Sequence, residues 1–220
     1  MNFLYDFPGN AAFGKVLPKN KIYGHASPTA KVRDMFVREV KKIVWSYKLS
    51  PETINLPARD SIQEIQVFTI VLKTGTLKHE VLWTIDKVIP SPIFFVLEFE
   101  KRTRYAAAYK RQSEADERKW VVSRYFESDW FFDDTRRVAL PVVLDLGTLY
   151  HAMLGSVIPL SARKHEIFDE FVFRAERLNM KEQELVKLEA GLKREKQFNR
   201  KVEINAKIRY LKKEIEEFNH

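Results

Sequence analysis

Cysteine is absent from the 220 residues. Disulfides and thiolate zinc sites are therefore excluded, and a reducing compartment fits, so a cytoplasmic location is expected. Glycine is scarce: the seven present are not clustered as a phosphate-cradling loop requires, which removes the common nucleotide-binding motifs. The five histidines, His25, His79, His151, His165 and His220, form no i, i+4 pair and have no carboxylate at ligand spacing. No metal and no other cofactor is expected. Long apolar runs are missing as well. The richest, Pro92 to Leu97 and Val138 to Leu146, fall far short of the roughly 20 residues a membrane helix needs, so no membrane partner is expected. The opening Met1-Asn2-Phe3-Leu4-Tyr5-Asp6 carries no basic region ahead of an apolar stretch, and no signal peptide is expected.

What is present is enough for a sizeable core: 45% of residues are hydrophobic and 13% aromatic, which argues against disorder. The net charge of +8 is unevenly placed. Residues 1–48 hold nine Lys/Arg against three Asp/Glu, residues 49–173 hold 16 against 18, and residues 174–220 hold 13 against nine. Two basic ends thus flank a slightly acidic middle. A basic end meets phosphates, an acidic protein surface, or water. The N-terminal excess, with Lys15, Lys19, Lys21, Lys41 and Lys42, is the denser and less neutralised. Lys15, Lys19 and Lys21 are its candidates for anion or nucleic-acid contact.

Along the chain, the first 28 residues carry Pro8, Gly9, Gly14, Pro18, Gly24 and Pro28 and read as an irregular arm pinned by Phe3, Phe7, Phe13 and Tyr23. Ser27-Pro28 opens a helix, and Val32, Met35, Phe36, Val40, Ile43, Val44 and Tyr47 keep helical spacing as far as Lys48. Ile62 to Leu72 reads as a buried strand, Leu77 to Ile89 as a helix, and Ile93 to Phe99 as a second buried strand. This is the outline of a crossover unit. In Arg104 to Lys110, Tyr105, Ala107 and Tyr109 alternate with Ala106, Ala108 and Lys110, giving a strand with one aromatic face and one small face that suits a covering helix. Trp120 to Phe126 is a fourth strand, and Asp145 caps a helix through Leu154. The expected architecture is α/β (α+β): a small mixed sheet of about four strands with packed helices over 1–160. A helical extension for association over 161–220 follows.

That extension carries the most pronounced pattern. Leu178, Leu185, Leu188 and Leu192 stand at spacings of 7, 3 and 4; Ile204, Ile208, Leu211, Ile215 and Phe218 stand at 4, 3, 4 and 3. Each set is an a/d seam that needs another helix to bury it. At about 100° per residue, the second seam is turned roughly 120° from the first. Either the chain folds back between Lys193 and Glu203 as a helical hairpin, or one long coiled-coil helix offers two faces to two partners. The seam residues Leu178, Leu185, Leu188, Leu192, Ile204, Ile208, Leu211 and Ile215 are the candidate partner-binding set.

Chemistry is thinly signalled, and no catalytic residue is assigned. Metal-dependent nucleases place carboxylates on neighbouring strands with a nearby lysine. Here Glu64, Asp86, Glu98 and Glu100 offer a loose imitation, with Lys101 off by one; strand-end charges entering water is the favoured reading. Asp133-Asp134 reads as a turn, and Trp45, Trp83, Trp120 and Trp130 read mainly as core. The stretch Tyr109 to Trp120 is longer than a hairpin requires. Lys110, Arg111, Ser113 and Lys119 within it are placed to hold a phosphate or carboxylate, against the plainer reading of a loop self-neutralised by Glu114 and Asp116.

Several strings also resemble a known family. They are Phe13-Gly14, Pro18 to Tyr23, Tyr47 to Ala58, Glu64 to Phe68, Ala108 to Arg111, Ser113 to Asp116, Lys119 to Val122 and Glu195 to Glu203. Together they are similar to an uncharacterised bacterial family catalogued as domain of unknown function 4391. The resemblance brings no catalytic residues. What it implies is a setting beside helicases and methyltransferases in restriction-like or phage-defence loci. Three functions follow as expectations. The first is a non-catalytic accessory subunit of a DNA-processing or phage-defence complex, held by its C-terminal helices to a helicase, a methyltransferase or a second copy. The others are a divergent metal-dependent nuclease and a toxin-like or RNA-binding protein using the N-terminal cations and the Lys110–Lys119 loop.

Overall fold

The computed structural model describes residues 3–59, 61–113, 115–116 and 120–218. The chain divides into two units, Met1–Ile158 and Pro159–His220.

The first unit is built on a mixed sheet of seven strands rather than about four. Strand β1 (Leu4–Asp6) lies outside it, and β2 (Ala12–Val16) forms one edge. Helices α1 (Lys19–Ala26) and α2 (Ala30–Glu39) follow, then β3 (Val40–Leu49), the short α3 (Pro51–Ile54), β4 (Ile65–Leu72), α4 (His79–Asp86) and β5 (Ile93–Phe99). Next come β6 (Arg102–Gln112), β7 (Trp120–Glu127), β8 (Phe131–Phe132), β9 (Arg137–Ala139) and α5 (Leu146–Val157). The order is β2-β3-β4-β5-β6-β7, with β8 also on β6 and β1 paired to β9 in a separate ribbon. The β4–β5 pair is parallel and joined through α4; every other pair in the large sheet is antiparallel.

The N-terminal arm contains α1 and two strands where an irregular segment was expected. The helix expected through Lys48 ends at Glu39, where the chain enters β3. The cause is visible in the register: β3 slips against β4 between Val40 and Lys42 and again between Trp45 and Tyr47. Each bulge inserts a residue and turns the strand's period of two locally into three, which imitates helical spacing. Ser27 is not the cap of α2 but the left-handed residue that ends α1, at φ 46°. Thr29 caps α2 instead, its hydroxyl accepting from Val32 N–H at 3.4 Å. At α5 the expected cap holds: an Asp145 carboxylate oxygen accepts from Thr148 N–H at 2.7 Å.

Alternation along the strands sorts the core onto two faces. Ile43, Phe68, Ile70, Phe95, Leu97, Ala106 and Ala108 point to the face covered by α1, α2 and α4. On the other face the Tyr5, Phe94 and Tyr105 rings meet at 4.9–6.0 Å. The Tyr105 hydroxyl accepts from Tyr5 N–H at 2.6 Å, fixing β1 over the sheet. Burial pushes that phenol up to about 12.

The second unit is an antiparallel helical hairpin of α6 (Phe168–Arg194) and α7 (Phe198–Phe218), turned at Glu195–Gln197. Leu178, Ile208 and Leu211 are buried, and Leu185, Leu188, Leu192, Ile204 and Ile215 are half-buried. The two seams face each other, so the fold-back arrangement is the one adopted. Lys181 to Glu214 at 2.8 Å and Lys212 to Glu189 at 3.0 Å flank the seam. No helix among the described residues is long and apolar enough to cross a membrane.

Candidate functional site

The cations proposed for anion binding do not form one cluster. Lys15 is exposed on the edge strand β2, and Lys21 is exposed on α1. Lys19 turns inward: its ammonium donates to Phe36 O at 2.8 Å and Val40 O at 2.6 Å, closing the C-terminal end of α2 where carbonyls lack helical partners. Strand β6 runs on through Gln112, so Lys110 and Arg111 are strand residues on opposite faces and cannot grip one ligand. Arg111 is half-buried. The Ser113 hydroxyl accepts from Ala115 N–H at 3.3 Å, and Lys119 lies outside the described residues.

Lys110 is the main correction. Its side chain is 2% exposed and its ammonium is fully committed. It donates to Asp86 Oδ1 at 2.8 Å, to Asp86 O at 2.7 Å and to Ile89 O. Those three acceptors use the three donors of an ammonium and leave none for a phosphate. The Tyr125 hydroxyl donates to Asp86 Oδ2 at 2.8 Å. Tyr150, on the far face, donates to Ala108 O at 2.7 Å and accepts from Lys110 N–H at 2.8 Å, where the β6–β7 register slips and frees those backbone groups. Burial pushes the Asp86 carboxyl up, and the Lys110 charge partly offsets this; burial and the Asp86 charge push the Tyr125 phenol well up. Perturbed groups of this kind often mark active sites. Here the Lys110 and Asp86 side chains are at most 2% exposed, so no substrate reaches them. They fasten the end of α4 to β6. The sequence signal was the small face Ala106–Ala108–Lys110, which points a lysine under a helix.

The four nuclease candidates do not converge. Asp86 is taken by Lys110. Glu64 accepts from Lys48 and from the Ser91 hydroxyl, both at 2.8 Å, just before β4. Glu98 pairs across β5 with Val71 at the other end of β4, seven residues on, or about 23 Å at the usual strand rise. Burial, with repulsion from Asp133, raises the Glu98 carboxyl. Glu100 sits at φ 55° in the turn to β6 and faces Arg102 at 3.7 Å. Among the described residues no group of three or more His, Asp or Glu is placed to hold a metal.

Among the described residues, the concavities of the first unit include two that matter here. The larger, about 870 Å³, is lined by residues 6–10, 52–56 and 139–143 with Leu149; its charged side chains are the acids Asp6 and Glu52, which repel polyanions. The smaller, about 360 Å³, lies between α1, the β3–β4 pair and residues 88–90, and Lys21, His25, Glu64 and Gln66 border it.

In the hairpin unit Arg174 is a buried charge, 7% exposed. Its guanidinium takes both Glu166 oxygens at 2.7 Å, Ser161 O at 2.8 Å and Phe218 O at 2.8 Å. One side chain therefore ties the segment before α6 to the last turn of α7, in the bidentate geometry that lysine cannot reproduce. Chiefly through these Arg174 bonds, Glu166 is lowered from 4.5 to about 2.

These features define a mixed α+β domain followed by a self-buried helical hairpin, with its strongest polar groups engaged in holding the fold. The chain belongs to the family described as Domain of unknown function (DUF4391), whose profile matches residues 5–215. No curated protein and no solved structure matches it.

Proposed function

We propose that the protein is a non-catalytic accessory subunit of a bacterial DNA-processing or phage-defence complex of the restriction type, held to a helicase or methyltransferase partner through its C-terminal hairpin. The observation that carries the reading is a set of large apolar side chains that stay exposed after the hairpin has buried its own seams. Ile167, Phe173, Met180, Val186, Phe198, Val202 and Tyr210 are 52–77% exposed. Among the described residues, seven large apolar side chains are exposed in the second unit, 159–220, against eight in the much longer first unit, 1–158, about twice the density. Singly exposed apolar residues need no explanation, but such enrichment marks contact surfaces. The partner-binding residues are accordingly these outward side chains. The seam leucines and isoleucines act one step earlier, by building the hairpin that presents them.

Dispersal of Glu64, Asp86, Glu98 and Glu100 favours this reading over a nuclease. Nucleic-acid contact remains a second reading on the exposed Lys15, Lys21, Lys41 and Lys42. Purification of the protein together with the products of its neighbouring genes tests the proposal: a stoichiometric complex is expected. A protein that elutes alone, and cleaves nucleic acid when given a divalent metal, contradicts it.

A further inference from the structure

The larger groove of the first unit is walled by side chains that the fold holds in place and leaves accessible. Phe7, Ile54, Leu56, Leu140 and Val143 line it, and each is half-buried. Phe7 is fixed by stacking on Tyr47, with ring centres 4.9 Å apart. Charge of one sign accompanies this apolar lining: among the described residues that line the groove, the ionised side chains are Asp6 and Glu52, both exposed. Each stands on anchored backbone. Asp6 lies opposite Ala139 in the β1–β9 ribbon. Glu52 belongs to α3, whose start is locked by reciprocal Ser50–Thr53 capping bonds. The Ser50 hydroxyl also donates to a Glu52 oxygen at 2.6 Å, and chiefly through that bond the carboxyl lies below its usual range. Glu52 is therefore an anion at neutral pH. The Lys48 charge contributes least to this, and that ammonium is paired with Glu64 at 2.8 Å.

The walls suit a peptide chain better than a small molecule. Beyond β9, residues 142–144 belong to no helix or strand and, among the described residues, make no backbone–backbone hydrogen bond. Val142 there is fully exposed. These peptide groups are open to an added strand, as those of a sheet edge are. Exposed Asn10 and Asn55 on the other two walls carry amides that can pair with the same incoming backbone. At about 870 Å³ the groove is near the upper end of the range for small-molecule pockets. We infer that this groove binds an extended segment of a partner protein, with apolar side chains against its walls and basic side chains against Asp6 and Glu52. Acids without cations among the lining residues oppose a nucleic acid or an acidic segment. The inference uses no feature of the hairpin, so either association can fail without the other.

The test titrates the ¹⁵N-labelled full-length protein with three end-blocked hexapeptides, which alternate valine with arginine, valine with glutamate and glycine with arginine, and with a short single-stranded oligonucleotide. Saturable shifts of the Asn10, Asn55 and Val143 backbone amides are expected with the valine–arginine peptide. The valine–glutamate peptide should leave them in place at the same concentration, and the glycine–arginine peptide should bind at least fivefold more weakly. Asp6→Asn and Glu52→Gln should each weaken the valine–arginine peptide about fivefold, the effect of one charge-assisted hydrogen bond at an exposed site. Combining Asp6→Lys with Glu52→Lys should invert the preference toward the valine–glutamate peptide. All four substitutions are at exposed positions, and an unchanged melting temperature confirms the fold. No shift with the valine–arginine peptide at about 5 mM, above the micromolar-to-millimolar range of specific sites, overturns the inference. Equal binding of the glycine–arginine peptide overturns it as well, because charge attraction alone would then account for the effect. Shifts of the same amides with the oligonucleotide, or on concentrating the protein without any peptide, would assign the groove to nucleic acid or to a second copy and overturn it equally.

Discussion

Replacing Lys110 by methionine keeps the length of the side chain but strands the Asp86 carboxylate beneath α4 with Tyr125 as its remaining side-chain donor. Breaking a buried ion pair from one side costs about 3–5 kcal/mol, because the surviving charge keeps its desolvation penalty and loses its compensation. For a unit of this size each kcal/mol is worth about 2–4 °C, so the melting temperature should fall by roughly 6–20 °C. Urea unfolding with an unchanged slope would show that the native state, rather than its compactness, was altered. The variant also carries a pH signature. Burial already raises Asp86, and loss of the cation raises it further, so the carboxyl is more readily neutralised in the fold than in the unfolded chain. The stability contribution of a raised acid is complete below its unfolded pKa, 3.8, and is lost as pH rises through the folded one. The deficit of Lys110→Met should therefore be smaller at about pH 5 than at about pH 8. Adding Asp86→Leu and Tyr125→Phe removes the stranded side-chain groups together, and a large part of the stability should return, less the cost of the Ile89 carbonyl that has lost its donor. A single-variant loss below about 1 kcal/mol would refute the reasoning, since that is the range of an exposed pair.

Other expectations follow from the same structure. Glu166 is held down by Arg174, so its stabilising contribution is present above its unfolded value of 4.5 and is lost as pH falls toward about 2. Hairpin helicity followed by circular dichroism should decline across that window, and Arg174→Lys should show a weakened hairpin already at neutral pH. Glu100→Gly relieves a side chain from left-handed backbone and should stabilise the first unit by about 1 kcal/mol in thermal unfolding, the exposed Arg102 contact contributing little. Glu98→Ala, if folded, should leave the function of the complex within a small factor in a phage-restriction assay. Complete loss in a soluble variant would revive the metal-site reading.

Where a single period ran uninterrupted, the sequence was easy to read. Ile93–Phe99 is a strand as expected, and Asp145 announced α5 through its capping chemistry. The hairpin seams were legible because a/d spacing has one physical use, although it left open whether the partner helix was internal. The turn at Glu195–Gln197 settled that. Reading failed where bulges corrupted the period, as in β3, and where glycine and proline in the first 28 residues concealed α1. Lys110 shows a different obstacle. Its chemistry is that of a surface cation, and its burial depends on Asp86 arriving from a helix 24 residues earlier in the chain.

The central claim is that the outward apolar side chains of the hairpin, and not its seam, carry the association. It is tested most directly by measuring the mass of the complex co-purified from the native gene neighbourhood, with Phe173→Ser and Met180→Ser combined in the full-length chain. Both side chains are more than half exposed, so the hairpin should keep its helicity and the first unit its melting temperature. The account predicts a folded protein that elutes at its own mass, free of partner. A folded double variant that still co-elutes stoichiometrically with the partner would contradict it.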